Sequence, residues 1–185
     1  MELQGERLIP ASVDKTWAAL NDPDALKACI AGCETLERTG ADAYTAVVAL
    51  KVGPVSARFK GNLQMTNVQA PNSYTINFDG QGGVAGFGKG SADVALTAQG
   101  EGTLLKYNAR ATVGGKMAQV GARLIDAAAG KITEDFFKAF EAHLAPAAAP
   151  GAATPPAVVA DAGTGKVWLL IGAVIVLAIV YFMIR

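Results

Sequence analysis

The sequence predicts an α+β fold: a curved antiparallel sheet wrapped around a long helix, followed by a tether and an apolar C-terminal helix. Three observations predict it. Five segments between residues 44 and 113 alternate apolar and polar side chains, the period of a half-buried strand. After Gly114-Gly115 the apolar spacing becomes three to four residues, the period of an amphipathic helix. Beyond residue 145 only Asp161, Lys166 and Arg185 are charged, and eighteen successive uncharged residues close the chain before Arg185.

The elements follow in order. Glu2–Ile9 reads as a first strand, and its acids and lack of an apolar core exclude a secretory signal peptide. Ser12 is placed to cap a helix in which Val13, Trp17 and Leu20 share a face. Asp22-Pro23 starts a second short helix, with Asp as cap and Pro in the first helical position. Tyr44, Ala46, Val48, Leu50 and Val52 then point one way, as do Val55, Ala57, Phe59, Gly61, Leu63 and Met65. Tyr74, Ile76 and Phe78 follow, then Ala92, Val94, Leu96 and Ala98, then Leu105, Tyr107, Ala109, Ala111 and Val113. Gly53-Pro54, Pro71-Asn72 and Gly100-Glu101-Gly102 punctuate them as hairpin turns. Gly121, Leu124, Ile125, Ala128, Ile132, Phe136, Phe140 and Leu144 mark one long helix, in which Gly130 is a point of bending. Residues 1–145 are thus one domain.

Residues 146–166 read as a flexible linker. Pro146–Gly165 holds eight Ala, four Pro and three Gly and has no amphipathic period. As a coil it reaches roughly 25 Å, or up to about 60 Å if stiffened by proline. Residues 167–184 read as a transmembrane tail anchor. A helix of that length spans about 27 Å, close to the ~30 Å hydrocarbon core. Trp168 and Tyr181 sit near its ends, where aromatic rings favour the membrane interface, and Lys166 favours a cytoplasmic main domain.

Charge and composition exclude several functions. Sixteen basic and sixteen acidic residues balance in the chain, and residues 1–145 hold fourteen and fifteen. That is no surface for neutralising nucleic-acid phosphates. One His and two Cys exclude a disulfide framework and a His- or Cys-rich metal site. His143 falls at the end of the last helix, with no nucleophile or acid to complete a catalytic set. Cys29 and Cys33 read as two small buried hydrophobes, a redox-sensitive pair, or half of an intersubunit metal site. Gly83–Lys89 fits G-x-x-x-x-G-K, but Gly90 replaces the Ser/Thr and both flanks read as antiparallel strands, so no phosphate loop is expected. The run Gly80–Gly90 reads instead as a long hairpin loop, or as a mobile lid with Phe87 at its tip and Lys89 as its charge.

The inward face is short of catalytic groups but rich in room. Ala46, Ala57, Gly61, Gly80, Ala92, Ala98, Ala109 and Ala111 make about a third of it. Small residues there allow either close packing of the long helix or a hydrophobic cavity beneath it. For a cavity the candidate lining is Leu50, Phe59, Gly61, Leu63, Phe78, Phe87 and Ala109 from the sheet. Met117, Gly121, Leu124 and Ile125 come from the helical segment, and Tyr44, Tyr74 and Tyr107 are its hydrogen-bonding handles.

Four blocks carry a family resemblance: DPDALKACIAGCE (Asp22–Glu34), KVGPVSARFKG (Lys51–Gly61), GGKMAQVGARLID (Gly114–Asp126) and Phe136-Phe137. Occurring together and in this order, they resemble the CoxG family of carbon monoxide dehydrogenase subunits. That family belongs to the helix-grip superfamily of START domains and polyketide cyclases. The resemblance covers residues 1 to about 143; Ala31 stands where that family usually has Pro. It implies a helix-grip domain with a cavity, in a non-enzymatic accessory protein. The protein would recruit a molybdenum-containing carbon monoxide dehydrogenase to the bacterial cytoplasmic membrane. Because that enzyme must pass electrons to the respiratory chain, the expected ligand is a quinone, ubiquinone or menaquinone, taken from the bilayer. A passive adaptor or maturation factor without ligand, and a carrier of another apolar ligand, are the alternatives.

Overall fold

The computed structural model describes residues 1–145. The proposed linker and anchor, with Trp168 and Tyr181, lie outside the described residues. No helix among the described residues is long and apolar enough to cross a membrane.

Seven antiparallel strands form one sheet: β1 (Glu2–Ile9), β2 (Cys33–Arg38), β3 (Ala43–Val52), β4 (Val55–Gln69), β5 (Ser73–Gln81), β6 (Phe87–Gln99) and β7 (Gly102–Gly114). Their spatial order is β1-β7-β6-β5-β4-β3-β2. Consecutive strands from β2 to β7 pair as hairpins, and β1 closes the other edge by pairing with β7, Glu2 opposite Arg110 and Ile9 opposite Thr103. Helices α1 (Val13–Leu20) and α2 (Pro23–Cys29) fill the β1–β2 connection. Helix α3 (Lys116–Gln119) and the long α4 (Ala122–Leu144) follow the sheet.

Local chemistry sets the helix ends as expected. The Asp22 carboxylate accepts from the Asp24 amide at 3.0 Å, with Pro23 in the first turn. Ser12 caps α1 more loosely, at 3.5 Å from the Lys15 amide. The core lies between the inner sheet face and the helices. Ile9, Leu105 and Phe140 are fully buried, and Phe136 stacks on Phe140 with ring centroids 5.5 Å apart. Two buried hydroxyls, Thr16 and Thr103, bind the Ala11 carbonyl, Thr103 at 2.7 Å. They fix the corner where β1 turns into α1.

Three features differ from the expectations drawn from sequence. Cys33–Arg38 is a strand; only Leu36 in it is buried, so on this edge the apolar alternation is too thin to register. The long helix is α4 as expected, but a short helix, α3, precedes it and is set off by Gly121, whose φ of 94° is a conformation L side chains rarely take. Gly130 does not interrupt α4. The long glycine loop shrinks to residues 82–86, a 3-10 turn at Gly83–Ala85. Gly80, Gly88 and Gly90 sit within paired strands.

Candidate functional site

Between the concave face of the sheet and α4 lies an apolar cavity of two lobes. The inner lobe, about 330 Å³, is lined by side chains that include Leu3, Leu20, Leu26, Leu36, Tyr44, Met65, Tyr74, Tyr107, Ala109 and Phe136. The outer lobe, about 490 Å³, includes Leu50, Val52, Phe59, Gly61, Phe78, Phe87, Met117, Ile125 and Ala128. Ile30, Leu63 and Ile132 line both, and so form the waist. Both lobes are partly open to solvent.

The strands position this lining by their period: side chains two apart face inward, and those between them face solvent. Glycines then decide where the aromatic rings lie. A methyl on Gly82 would sit 2.6 Å from the Phe59 ring. On Gly114 it would sit 2.3 Å from the Phe87 ring, and on Gly90 it would strike the Phe78 ring and the Arg110 carbonyl. These rings occupy the space a Cβ would need. The glycine-rich stretch is therefore a surface on which rings rest, and Phe87 is a strand residue rather than the tip of a lid.

Twelve of the fourteen residues anticipated for the cavity line one lobe or the other. Gly121 and Leu124 do not. Gly121 is the helix break, and Leu124 is 49% exposed on the outward side of α4. The sequence pattern alone did not single out Ile30, at the C-terminal end of α2, or Ile132, Phe136 and Phe137 on α4 as lining. Ile132 and Phe136 belong to the apolar stripe of α4, and Phe137 lies one position beside it. Ile30 follows the last turn of a short helix, where no period marks a facing direction.

The three tyrosines are not equivalent. Tyr44 is committed: its hydroxyl accepts from the Arg38 guanidinium at 2.8 Å and lies 3.4 Å from the Asn21 carbonyl, to which it donates. The Tyr107 ring packs on Phe137, with its hydroxyl against Gly5 of the edge strand. Tyr74 is buried, with its ring edge-on to Trp17 at 5.6 Å, and its hydroxyl has no such partner among the described residues. Burial, with Tyr44 nearby, pushes the Tyr74 phenol well above its ordinary range, so it stays a donor.

No group of three or more His, Cys, Asp or Glu that could hold a metal occurs among the described residues. Cys29 is buried and Cys33 half-buried; both are free thiols. Burial raises both pKa values, with Lys27 pulling Cys33 back in part. Asp93, Glu34 and His143 are exposed, Asp93 accepting from Thr75 at 2.7 Å and Glu34 pairing with Arg58 at 2.6 Å.

A family model for the CoxG subunit of carbon monoxide dehydrogenase matches residues 5–145. The chain belongs to the CoxG family. Solved structures are similar to this CoxG chain as well. A conserved protein from Geobacillus kaustophilus is 32% identical, with a TM-score of 0.73, 78% of this chain and 95% of that one being covered. A START superfamily protein from Mycobacterium smegmatis is 15% identical at TM-score 0.60, covering 77% and 96%. An aromatase/cyclase from a Streptomyces species is 10% identical at TM-score 0.56, covering 78% and 93%. The last two share the fold alone. No curated protein matches the sequence.

Proposed function

We propose that this CoxG-family protein recruits a molybdenum-containing carbon monoxide dehydrogenase to the bacterial cytoplasmic membrane and takes a respiratory quinone into its cavity. The observation that carries the reading is the shape and chemistry of that cavity. The outer lobe is lined almost wholly by hydrocarbon and suits an isoprenoid chain. The inner lobe is apolar as well, but holds two phenols without a hydrogen-bond partner among the described residues, Tyr107 and the more deeply buried Tyr74, of which Tyr74 is suited to a quinone carbonyl. Residues 167–184, as an anchor, would keep this cavity near the bilayer in which quinone dissolves. Tethering then raises the local concentration of cavity and membrane without adding a contact. A passive adaptor accounts for an anchor but gives the cavity no work. Among the described residues, tyrosine is the one titratable inner-lobe side chain that an enzymatic reading could use as acid, base or nucleophile.

Trp17 supplies the test. It is the only tryptophan in residues 1–145, and it touches Tyr74 at the inner lobe. Titrating that fragment with a short-chain quinone should quench Trp17 emission saturably. Quenching that rises linearly with quinone, as in free solution, contradicts the reading.

A further inference from the structure

Three hydroxyls that line the inner lobe have no hydrogen-bond partner among the described residues: Tyr74, Tyr107 and Thr133. No side-chain oxygen or nitrogen among those residues is both sealed from solvent and unpartnered. The three hydroxyls therefore open onto accessible space, and the inner lobe is the space that all three line.

They fall at two ends. Tyr74 stands on β5, edge-on to Trp17 of α1. Tyr107 stands on β7, two strands away, with Val94 of β6 between them in register. Its hydroxyl leans outward over Gly5 of β1, where an added methyl would meet it at 2.6 Å. Thr133 joins it from α4. Thr133 and Phe137 lie one turn apart on one face of that helix, and the Phe137 ring packs on Tyr107 with centroids 5.3 Å apart. The ion pair of Arg7 with Glu134 ties β1 to α4 beside them. One end of the lobe thus offers the Tyr74 phenol. The other, at the seam of β1 and α4, offers a phenol and an alcohol.

A ligand with an acceptor at one end only would leave a donor unpaired at the other, inside an apolar lobe, and this costs affinity. A head with acceptors at both ends satisfies both. The spacing is of the right order. Two strand spacings put about 9.5 Å between the Tyr74 and Tyr107 backbones. A six-membered ring with opposite carbonyls, hydrogen-bonded at both, spans roughly 11 Å between donor oxygens, taking ~1.23 Å for each C=O and ~2.8 Å for each hydrogen bond.

We propose that Tyr107 and Thr133 form a second hydrogen-bonding end of the inner lobe, so that the site selects a flat ring with carbonyls at opposite ends over a ring with a single carbonyl. The inference rests on the quinone reading and adds to it the residues that tell a quinone from a mono-ketone of similar size.

Calorimetry on the full chain in nanodiscs, with empty discs as the blank, tests it. The probes are duroquinone, a methylated ring with two opposite carbonyls, and isophorone, a methylated ring with one. Tyr107→Phe combined with Thr133→Val keeps the side-chain shapes and removes both hydroxyls. It should weaken duroquinone binding about tenfold, the size of one hydrogen bond, and Tyr74→Phe should do the same. Isophorone can turn its carbonyl to either end. Each change alone should therefore cost it less than about threefold, and both together about tenfold. Gly5→Ala, which displaces the Tyr107 hydroxyl and leaves Tyr74 alone, should weaken duroquinone in the same direction. Unchanged duroquinone affinity in the Tyr107 and Thr133 variant overturns the proposal and leaves quinone binding through Tyr74 intact. Equal losses for the two probes in that variant overturn it as well, since those hydroxyls would then serve only the packing of the lobe. A native chain that takes up no duroquinone overturns the quinone reading itself, and this inference with it.

Discussion

Tyr44, Tyr74 and Tyr107 point to the same face of one sheet; Tyr44 spends its hydroxyl on Arg38 and Asn21, and of the two whose hydroxyls have no partner among the described residues only Tyr74 is buried. Sequence alternation found all three but could not rank them, because the ranking depends on Arg38, Asn21 and Gly5, which are remote in sequence. Tyr74→Phe should weaken short-chain quinone binding about tenfold, the size of one hydrogen bond in an apolar site, without unfolding the domain. Trp17 quenching measures it, and equal affinities would remove Tyr74 from the site. The same residue gives a pH signature. Its folded pKa is raised, so the folded state keeps the proton that an unfolded tyrosine loses near pH ~10. Stability is therefore intact below about pH 10 and falls above it, by up to about 1.4 kcal/mol per pH unit. Cys29 and Cys33, also raised, start the decline somewhat earlier. Denaturation at pH 8 and 10.5 should show the loss, and Tyr74→Phe should remove the part above pH 10.

At the scale of elements, what was legible followed from strong periods. β1, α1, α2 and the five inner segments were readable because each buries one face. The residues of β2 were not, since an edge strand with outward charges buries little but Leu36. The short α3 was hidden because four residues with one buried side chain, Met117, show no period. Within α4, Ile125 lines the cavity and its neighbour Leu124 is exposed. The cavity's sheet wall was legible for the same reason as the strands. Its helical wall was legible in part: Met117 and Ile125 line it as expected, while Gly121 and Leu124 do not. Buried hydroxyls were invisible too. Thr103→Val should cost about 1–2 kcal/mol by depriving the Ala11 carbonyl of its better donor, measured by chemical denaturation. A change within experimental error would mean that solvent replaces the bond.

For the whole molecule, the question is whether the space under α4 is filled by packing or by a ligand. Gly61 cannot answer it. A Cβ there would come within 2.8 Å of the Asp79 carbonyl, so any substitution disturbs β4 and β5 directly. Ala109, on the wall of the inner lobe, is the better probe. Ala109→Leu in a dense core would cost about 1–3 kcal/mol through overpacking. Into an open lobe it should cost less than about 1 kcal/mol, and it should reduce quinone binding at least about tenfold. The most direct measurement is native mass spectrometry with organic extraction on residues 1–145, purified without detergent from cells that make quinone. A quinone released from the native fragment and absent from a folded Ala109→Leu variant is the predicted result. An empty fragment that also binds no added short-chain quinone would refute the carrier function, leaving the domain a ligand-free adaptor.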